Sequence, residues 1–159
     1  MQAAERDALK ERHRFREWAG KSSLPADRNV QGLSLTGEEM PGFRLERSDR
    51  RADMQPPRLT SLWRRGASQA VVRVDLFECA SVADAHEYLI DALNEFESAA
   101  IVRRTDVTIG DVVFGTDSVV LFARANLVVL VRKASPQTEA VMPIAQTIDS
   151  LILGRLKAG

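Results

Sequence analysis

Few side chains in this sequence could take part in catalysis. It has one cysteine, Cys79, and two histidines, His13 and His86. A nucleophilic thiol needs a neighbouring base, and Cys79 ends a predicted strand just before the helix that carries His86. The spacing does not make the two side chains face each other, and a lone cysteine is usually a small buried apolar residue. Cys79 and His86 are therefore weak catalytic candidates, and the sequence favours a protein that is not an enzyme.

The sequence contains no motif typical of a metal site or of a nucleotide-binding site. A structural zinc site needs four Cys or His ligands at short spacing, and here one cysteine and two histidines lie far apart. Residues 110–115 have the glycine spacing of a phosphate loop, but Thr116-Asp117 follows where that loop requires Lys-Ser/Thr. No Gly-x-Gly-x-x-Gly motif is present. We therefore expect neither a metal nor a cofactor.

A second set of side chains is suited to binding a partner. It combines aromatic and cationic residues: Phe15, Trp18, Trp63, Arg64 and Arg124. Trp63 beside Arg64 would suit single-stranded nucleic acid, but the net charge of zero argues against a nucleic-acid partner. Arg124 lies at the tip of a predicted hairpin, where we expect it to be exposed and free to meet a partner's carboxylate.

The composition indicates one globular domain. The chain has 159 residues, of which 45% are apolar and 28% charged. The sequence contains no run of 18 apolar residues, so it predicts no transmembrane helix. The charged N-terminus lacks the apolar segment of a secretory signal. We expect a cytoplasmic protein, with the cell envelope as the alternative if a leader has been removed.

An N-terminal arm is expected to precede the core. Residues 1–19 predict a helix whose thin apolar stripe ends in Phe15 and Trp18, and Gly20 is suited to end it. Residues 21–42 are rich in proline and glycine and have no sustained period, which indicates a linker. Linkers of this length are uncommon inside compact domains. The predicted division is an arm and linker over residues 1–41 and a core domain over residues 42–159.

The core predicts an antiparallel sheet with two amphipathic helices. Short turns join the strands, which favours an α+β fold with about five to six strands, two helices packed on one face and the N-terminal helical arm. The helices are expected over residues 81–98, capped by Ser81, and over residues 138–156. Their buried residues should include Leu93, Phe96, Ile148 and Leu151. The last strands are apolar on both faces, so the second face needs a cover from the arm, a partner or a ligand.

A short hairpin motif carries the one resemblance to known proteins. Arg124-Ala125-Asn126 joins two apolar runs, residues 109–114 precede them, and a terminal helix with Ile148-Asp149 follows. This succession resembles small uncharacterised bacterial α+β domains in which an Arg-Gly-Asn hairpin joins two apolar strands. The resemblance covers about the last 90 residues, and it implies a fold and a frequent location at the cell envelope. A three-residue loop would place Asn126 in the left-handed conformation.

The sequence is compatible with three functions. The first is a non-catalytic interaction or accessory domain that binds a protein partner, or self-associates, through its N-terminal arm and an apolar sheet face. The second is a small-ligand-binding domain with a pocket between the sheet and the helices. The third is an enzyme that uses Cys79 or His86.

Overall fold

The computed structural model describes residues 1–23, 29–96 and 101–158. Two short helices open the chain, α1 (Ala3–Arg12) and α2 (Phe15–Trp18), and a single 3-10 turn (Gly37–Glu39) precedes the sheet. The remaining elements are, in chain order, β1 (Phe43–Arg51), β2 (Arg58–Arg65), β3 (Val71–Glu78), α3 (Val82–Asn94), β4 (Val102–Arg103), β5 (Val112–Gly115), β6 (Val119–Arg124), β7 (Leu127–Lys133) and α4 (Met142–Ala158). The predicted end of the middle helix, near Ser98, lies outside the described residues.

The strands form one antiparallel sheet in the order β1-β2-β3-β7-β6-β5-β4. The predicted α+β class is confirmed. The sheet has seven strands rather than five to six, because the weak strand expected over residues 102–109 pairs with β5 as the two-residue edge strand β4. Since β7 pairs with both β3 and β6, the strand that follows the hairpin lies at the centre of the sheet.

The two long helices cover opposite faces of the sheet, whereas the sequence analysis expects both on one face. Leu121 and Val128 point to the side of α3, and their neighbours Phe122 and Val129 point to the side of α4. Successive side chains of a strand face opposite ways, so strands that are apolar throughout need a cover on each side. One face is covered by α4, and the other is covered by α3 together with Trp18 of the arm. The sequence analysis predicts that both helices cover one face and that the arm, a partner or a ligand covers the other.

The segment before β1 also belongs to the core. Val30, Leu33, Leu35 and Met40 are buried in the same apolar cluster as β2, β3 and α4. Their irregular spacing matches neither a helix nor a strand, which is why the sequence predicts only a linker there. On the opposite face, Trp18 of α2 is buried in the cluster of α3. Whether residues 1–41 form a separable unit stays a prediction.

The helix boundaries follow from their end residues. The Ser81 hydroxyl accepts a hydrogen bond from the Asp84 backbone N–H at 3.1 Å, which confirms the predicted N-cap of α3. The terminal helix begins at Met142 and not at the predicted Thr138, because Pro143 is tolerated only in a first turn. Leu93 and Ile148 are buried as predicted, while Phe96 and Leu151 are half-buried. No helix among the described residues is long and apolar enough to cross a membrane.

The hairpin between β6 and β7 is tighter than predicted. Arg124 pairs with Leu127, so the loop contains two residues, Ala125 and Asn126, and not three. The left-handed residue is Ala125, with a φ of 53°, and the prediction for Asn126 is therefore wrong. A two-residue hairpin loop with positive φ at its first position normally has glycine there.

Candidate functional site

The two catalytic candidates do not form a dyad. Cys79 is buried at the end of β3, where burial and the nearby Asp84 carboxylate raise the pKa of its thiol to about 12. The thiol is therefore protonated at neutral pH and a poor nucleophile. His86 is fully buried on α3, and its Nδ1 accepts a hydrogen bond from the Gly20 backbone N–H at 2.9 Å. Within the described residues, no hydrogen bond joins Cys79 to His86.

Phe15 and Trp18 attach the arm to the core. The Trp18 ring is buried and lies edge-on to His86 and Phe114, with centroid distances of 5.4 and 5.5 Å. Its Nε1 donates a hydrogen bond to the His13 carbonyl at 2.9 Å. Phe15 is half-buried and packs edge-on against the Trp18 ring, with 4.9 Å between the ring centroids. While the arm lies on the core, these two aromatic rings are occupied by the chain's own residues.

The acidic side of α3 is also occupied by the arm. Arg6 of α1 pairs with Glu87 at 2.6 Å and with Asp91, and Lys10 pairs with Glu87 at 2.9 Å. Burial alone would raise the pKa of Glu87, but Lys10 and Arg6 outweigh burial and lower the pKa. These carboxylates therefore bind the N-terminal helix of the same chain.

The prediction that Arg124 is exposed is wrong. Its side chain turns inward from the end of β6, and the residue is only 5% exposed. Nε and Nη2 donate to the two carboxylate oxygens of Asp149 at 2.8 and 2.9 Å, and Nη1 donates to Asp111 at 3.3 Å. Burial by itself would lower the pKa of Arg124, but the two carboxylates outweigh burial and raise it.

Asp111, Asn126 and Asp149 form a polar cluster with Arg124, which we call the hairpin cluster. The sequence does not predict that these residues meet. Asn126 accepts from the Val30 N–H at 2.7 Å and donates to the carbonyls of Val30 and Cys79. Asp149 had a detectable signal, because it lies four residues after Ala145 on the apolar stripe of α4. A carboxylate on a buried stripe requires a buried partner.

Close backbone approach completes the hairpin cluster. Gly110 has a φ of 65° and donates its N–H to Asp149 at 2.9 Å. A Cβ at this position would lie 2.5 Å from the Ala123 carbonyl oxygen, so only glycine fits. Asp111 accepts the Ala125 N–H at 2.9 Å. Since the protein's own donors and acceptors satisfy these groups, the hairpin cluster fixes the loop and the helix rather than offering a reactive centre.

On β1, β2 and β3, the side of the sheet that faces away from α4 presents a different surface, which we call the open face. Along β2, Trp63 points into the core, is fully buried and donates to the Ser61 hydroxyl. Trp63 is thus a core residue and not the surface residue that the sequence analysis expects. Its neighbour Arg64 points to the open face, where it pairs with Glu46 at 2.5 Å. Strict alternation along β2 separates the two candidates.

The open face carries an excess of positive charge. Register and alternation place three carboxylates and seven guanidinium groups there: Glu46, Asp49 and Asp75, and Arg44, Arg47, Arg51, Arg58, Arg64, Arg73 and Arg132. The arginines of β1 are exposed, and those of β2, β3 and β7 are half-buried. Because cations outnumber anions on a surface three to four strands wide, the open face attracts negatively charged groups.

Several of these guanidinium groups make no ion pair with any residue that the structure describes. Within residues 1–23, 29–96 and 101–158, Arg47, Arg58 and Arg132 make no ion pair, and the buried Nε of Arg58 has no hydrogen-bond acceptor. A shallow cavity of about 220 Å³ lies between Arg47, Arg58 and Arg73. A buried N–H without an acceptor is costly, and a bound carboxylate could accept it.

The part of the chain that the structure describes contains no group of three His, Cys, Asp or Glu side chains able to hold a metal ion. No protein-family model matches the chain, and no curated protein or solved structure matches it either.

Proposed function

We propose that this protein is a non-catalytic interaction domain that binds an acidic segment of a protein partner on its open face. The observation that carries the proposal is that three guanidinium groups, those of Arg47, Arg58 and Arg132, make no ion pair among the described residues. Arginine binds carboxylates through two parallel hydrogen bonds, which gives both affinity and orientation. A segment rich in Asp and Glu would supply the acceptors that these groups lack.

Binding through the open face differs from the binding mode that the sequence analysis favours. That mode uses the N-terminal arm and an apolar sheet face, but the arm lies on the α3 side of the sheet with Trp18 buried. The other apolar side is covered by α4 and by residues 30–40. The open face needs no rearrangement before a partner can bind, and this supports it as the site.

An acidic protein segment fits this surface better than a nucleic acid does. Proteins that bind single strands stack the bases on exposed aromatic rings. On the open face of β2 the uncharged side chains are Thr60 and Leu62, and Trp63 points away from it. The interspersed carboxylates Glu46 and Asp49 would also repel a continuous phosphate backbone, whereas separate side-chain carboxylates can alternate with them.

A fluorescence anisotropy titration of the full chain with a labelled deca-glutamate peptide tests the proposal. The triple variant Arg47→Ala/Arg58→Ala/Arg132→Ala should weaken binding about tenfold or more, which corresponds to about 1.4 kcal/mol. The matched control, Arg16→Ala/Arg155→Ala/Lys157→Ala, removes the same charge from exposed positions elsewhere. It should change binding by less than about threefold, the general effect of net charge.

Three outcomes would overturn the proposal. The first is the absence of saturable peptide binding at millimolar concentration. The second is an equal loss of affinity in the two triple variants, which would mean that net charge alone attracts the peptide. The third is tighter binding of a labelled ten-nucleotide single strand than of the peptide, which would favour a nucleic-acid partner.

A further inference from the structure

Both histidines of the chain are buried where the arm meets the core. His86 of α3 is fully buried, and His13, which follows α1, is 7% exposed. The His86 ring contacts Trp18, and the His13 ring lies edge-on to Phe114 with a centroid distance of 5.2 Å. The side chains that change charge nearest to neutral pH are therefore placed at one joint.

The hydrogen bond of His86 requires an uncharged ring. Its Nδ1 accepts the Gly20 N–H at 2.9 Å, so in the neutral form the proton is on Nε2, which is buried and has no hydrogen-bond partner in the described part of the chain. An added proton can bind only at Nδ1, the nitrogen with a free lone pair. Two N–H groups would then point at each other, and a cation would be buried beside Trp18.

The charged groups around the two rings shift the pKa values of the histidines in opposite directions. Asp111, before β5, faces His86 and favours its cation, but burial outweighs Asp111 and lowers the pKa of His86. Asp111 itself is paired with Arg124 of β6. On α3, Glu87 is paired with Arg6 and Lys10 of α1. Burial and the adjacent Arg12 both lower the pKa of His13.

We infer that residues 1–20 act as a pH-gated cover over the α3 side of the sheet. When His86 takes up a proton at Nδ1, the bond to Gly20 is lost, Trp18 leaves its site, and the apolar surface around Phe114 is uncovered. The core stays folded, because its other apolar cluster, formed by α4, residues 30–40 and the sheet, contains neither Trp18 nor Phe114. This device is independent of the open face.

The direction of the pH effect follows from the lowered pKa values. A histidine whose pKa is lower in the docked state than the usual value of about 6.5 binds fewer protons when docked than when released. Docking is therefore complete above about pH 6.5. It weakens as the pH falls from there toward the lowered pKa of the docked ring.

The two indole N–H resonances of the full chain provide the test by NMR spectroscopy. Trp18 donates its indole N–H to His13, at the joint, and Trp63 donates its own to Ser61 on the other side of the sheet. Between pH 7.5 and pH 5, the docked Trp18 signal should be lost while the Trp63 signal persists. His86→Asn keeps an acceptor near Gly20 but does not titrate, so its Trp18 signal should persist to pH 5.

The same titration can contradict the inference in two ways. A docked Trp18 signal that persists in the wild type at pH 5 would show that no gate exists. Loss of the Trp18 signal at the same pH in wild type and His86→Asn would assign the effect to another group, and His13→Asn then tests the second ring. If His86→Asn undocks the arm already at pH 7.5, His86→Gln repeats the comparison, and the Trp63 signal confirms that each variant is folded.

Discussion

The two halves of the sheet are built differently. In the half formed by β1, β2 and β3, only one face is apolar, and β2 reads as an alternation of polar and apolar residues, RLTSLWRR. In the half formed by β5, β6 and β7, both faces are apolar, and β7 begins with the continuous run LVVLV. The first half leaves a surface for a partner. The second is enclosed between α3 and α4 and supplies the centre of the core.

Arginine has opposite roles in the two halves. Arg124, in the enclosed half, is buried between Asp149 and Asp111 and fixes the hairpin to α4. Arg47, on the open face, is exposed and makes no ion pair within the described chain. Residue type alone therefore does not decide whether an arginine serves stability or binding. The deciding factor is whether a layer of helix covers the strand that carries it.

The largest expected loss of stability comes from the buried charge. Arg124→Ala leaves the carboxylates of Asp149 and Asp111 without their cation, and should lower the free energy of unfolding by about 3–5 kcal/mol. The matched change on the other half, Arg47→Ala, should alter it by less than about 0.5 kcal/mol. Urea unfolding followed by circular dichroism measures both. Equal effects would show that the two halves do not differ as described.

A smaller loss is expected from the apolar core. Ile148 is fully buried on α4, and Ile148→Ala should cost about 2–5 kcal/mol through lost burial and a residual cavity. Leu62 is half-buried on the open face, so Leu62→Ala should cost less than about 1 kcal/mol. Thermal unfolding of the two variants checks the contrast. A loss for Leu62→Ala as large as that for Ile148→Ala would mean that the open face is covered.

The smallest effect should be a gain in stability. Ala125 has a φ of 53°, a conformation that costs an ordinary residue about 1–2 kcal/mol relative to glycine. Ala125→Gly removes this strain but gives the unfolded chain more freedom, which leaves a net gain of up to about 1 kcal/mol. Asn126, the other residue of the loop, has no positive φ, so Asn126→Gly serves as the control. That control should be destabilising, because Asn126 makes three buried hydrogen bonds.

The parts of the fold that repeat a simple period could be predicted from the sequence. The apolar stripes of α3 and α4, the Ser81 cap and the antiparallel pairing across short turns all follow from local patterns. The burial of Leu93 and Ile148 follows from the same stripes. The face on which each helix packs does not, because an apolar strand is compatible with a helix on either side.

The sites depend on contacts between residues that are distant in the chain. Arg124 and Asp149 are 25 residues apart, and Val30 and Asn126 are 96 apart, so no local pattern links them. The burial of residues 30–40 cannot be predicted for the same reason, since an irregular segment is recognised only by the surface that it covers. The open face cannot be predicted either, because four strands contribute its arginines and each strand alone has an ordinary charge pattern.

The edges of the sheet determine how this protein can meet other chains. An exposed edge strand offers unpaired N–H and C=O groups to which another strand can add, and this is a common route to aggregation. One edge here is β1, which is charged along most of its length and has a register shift between Leu45 and Arg47. The other edge is β4, which has only two residues. Both features discourage the addition of a further strand at either edge of the sheet.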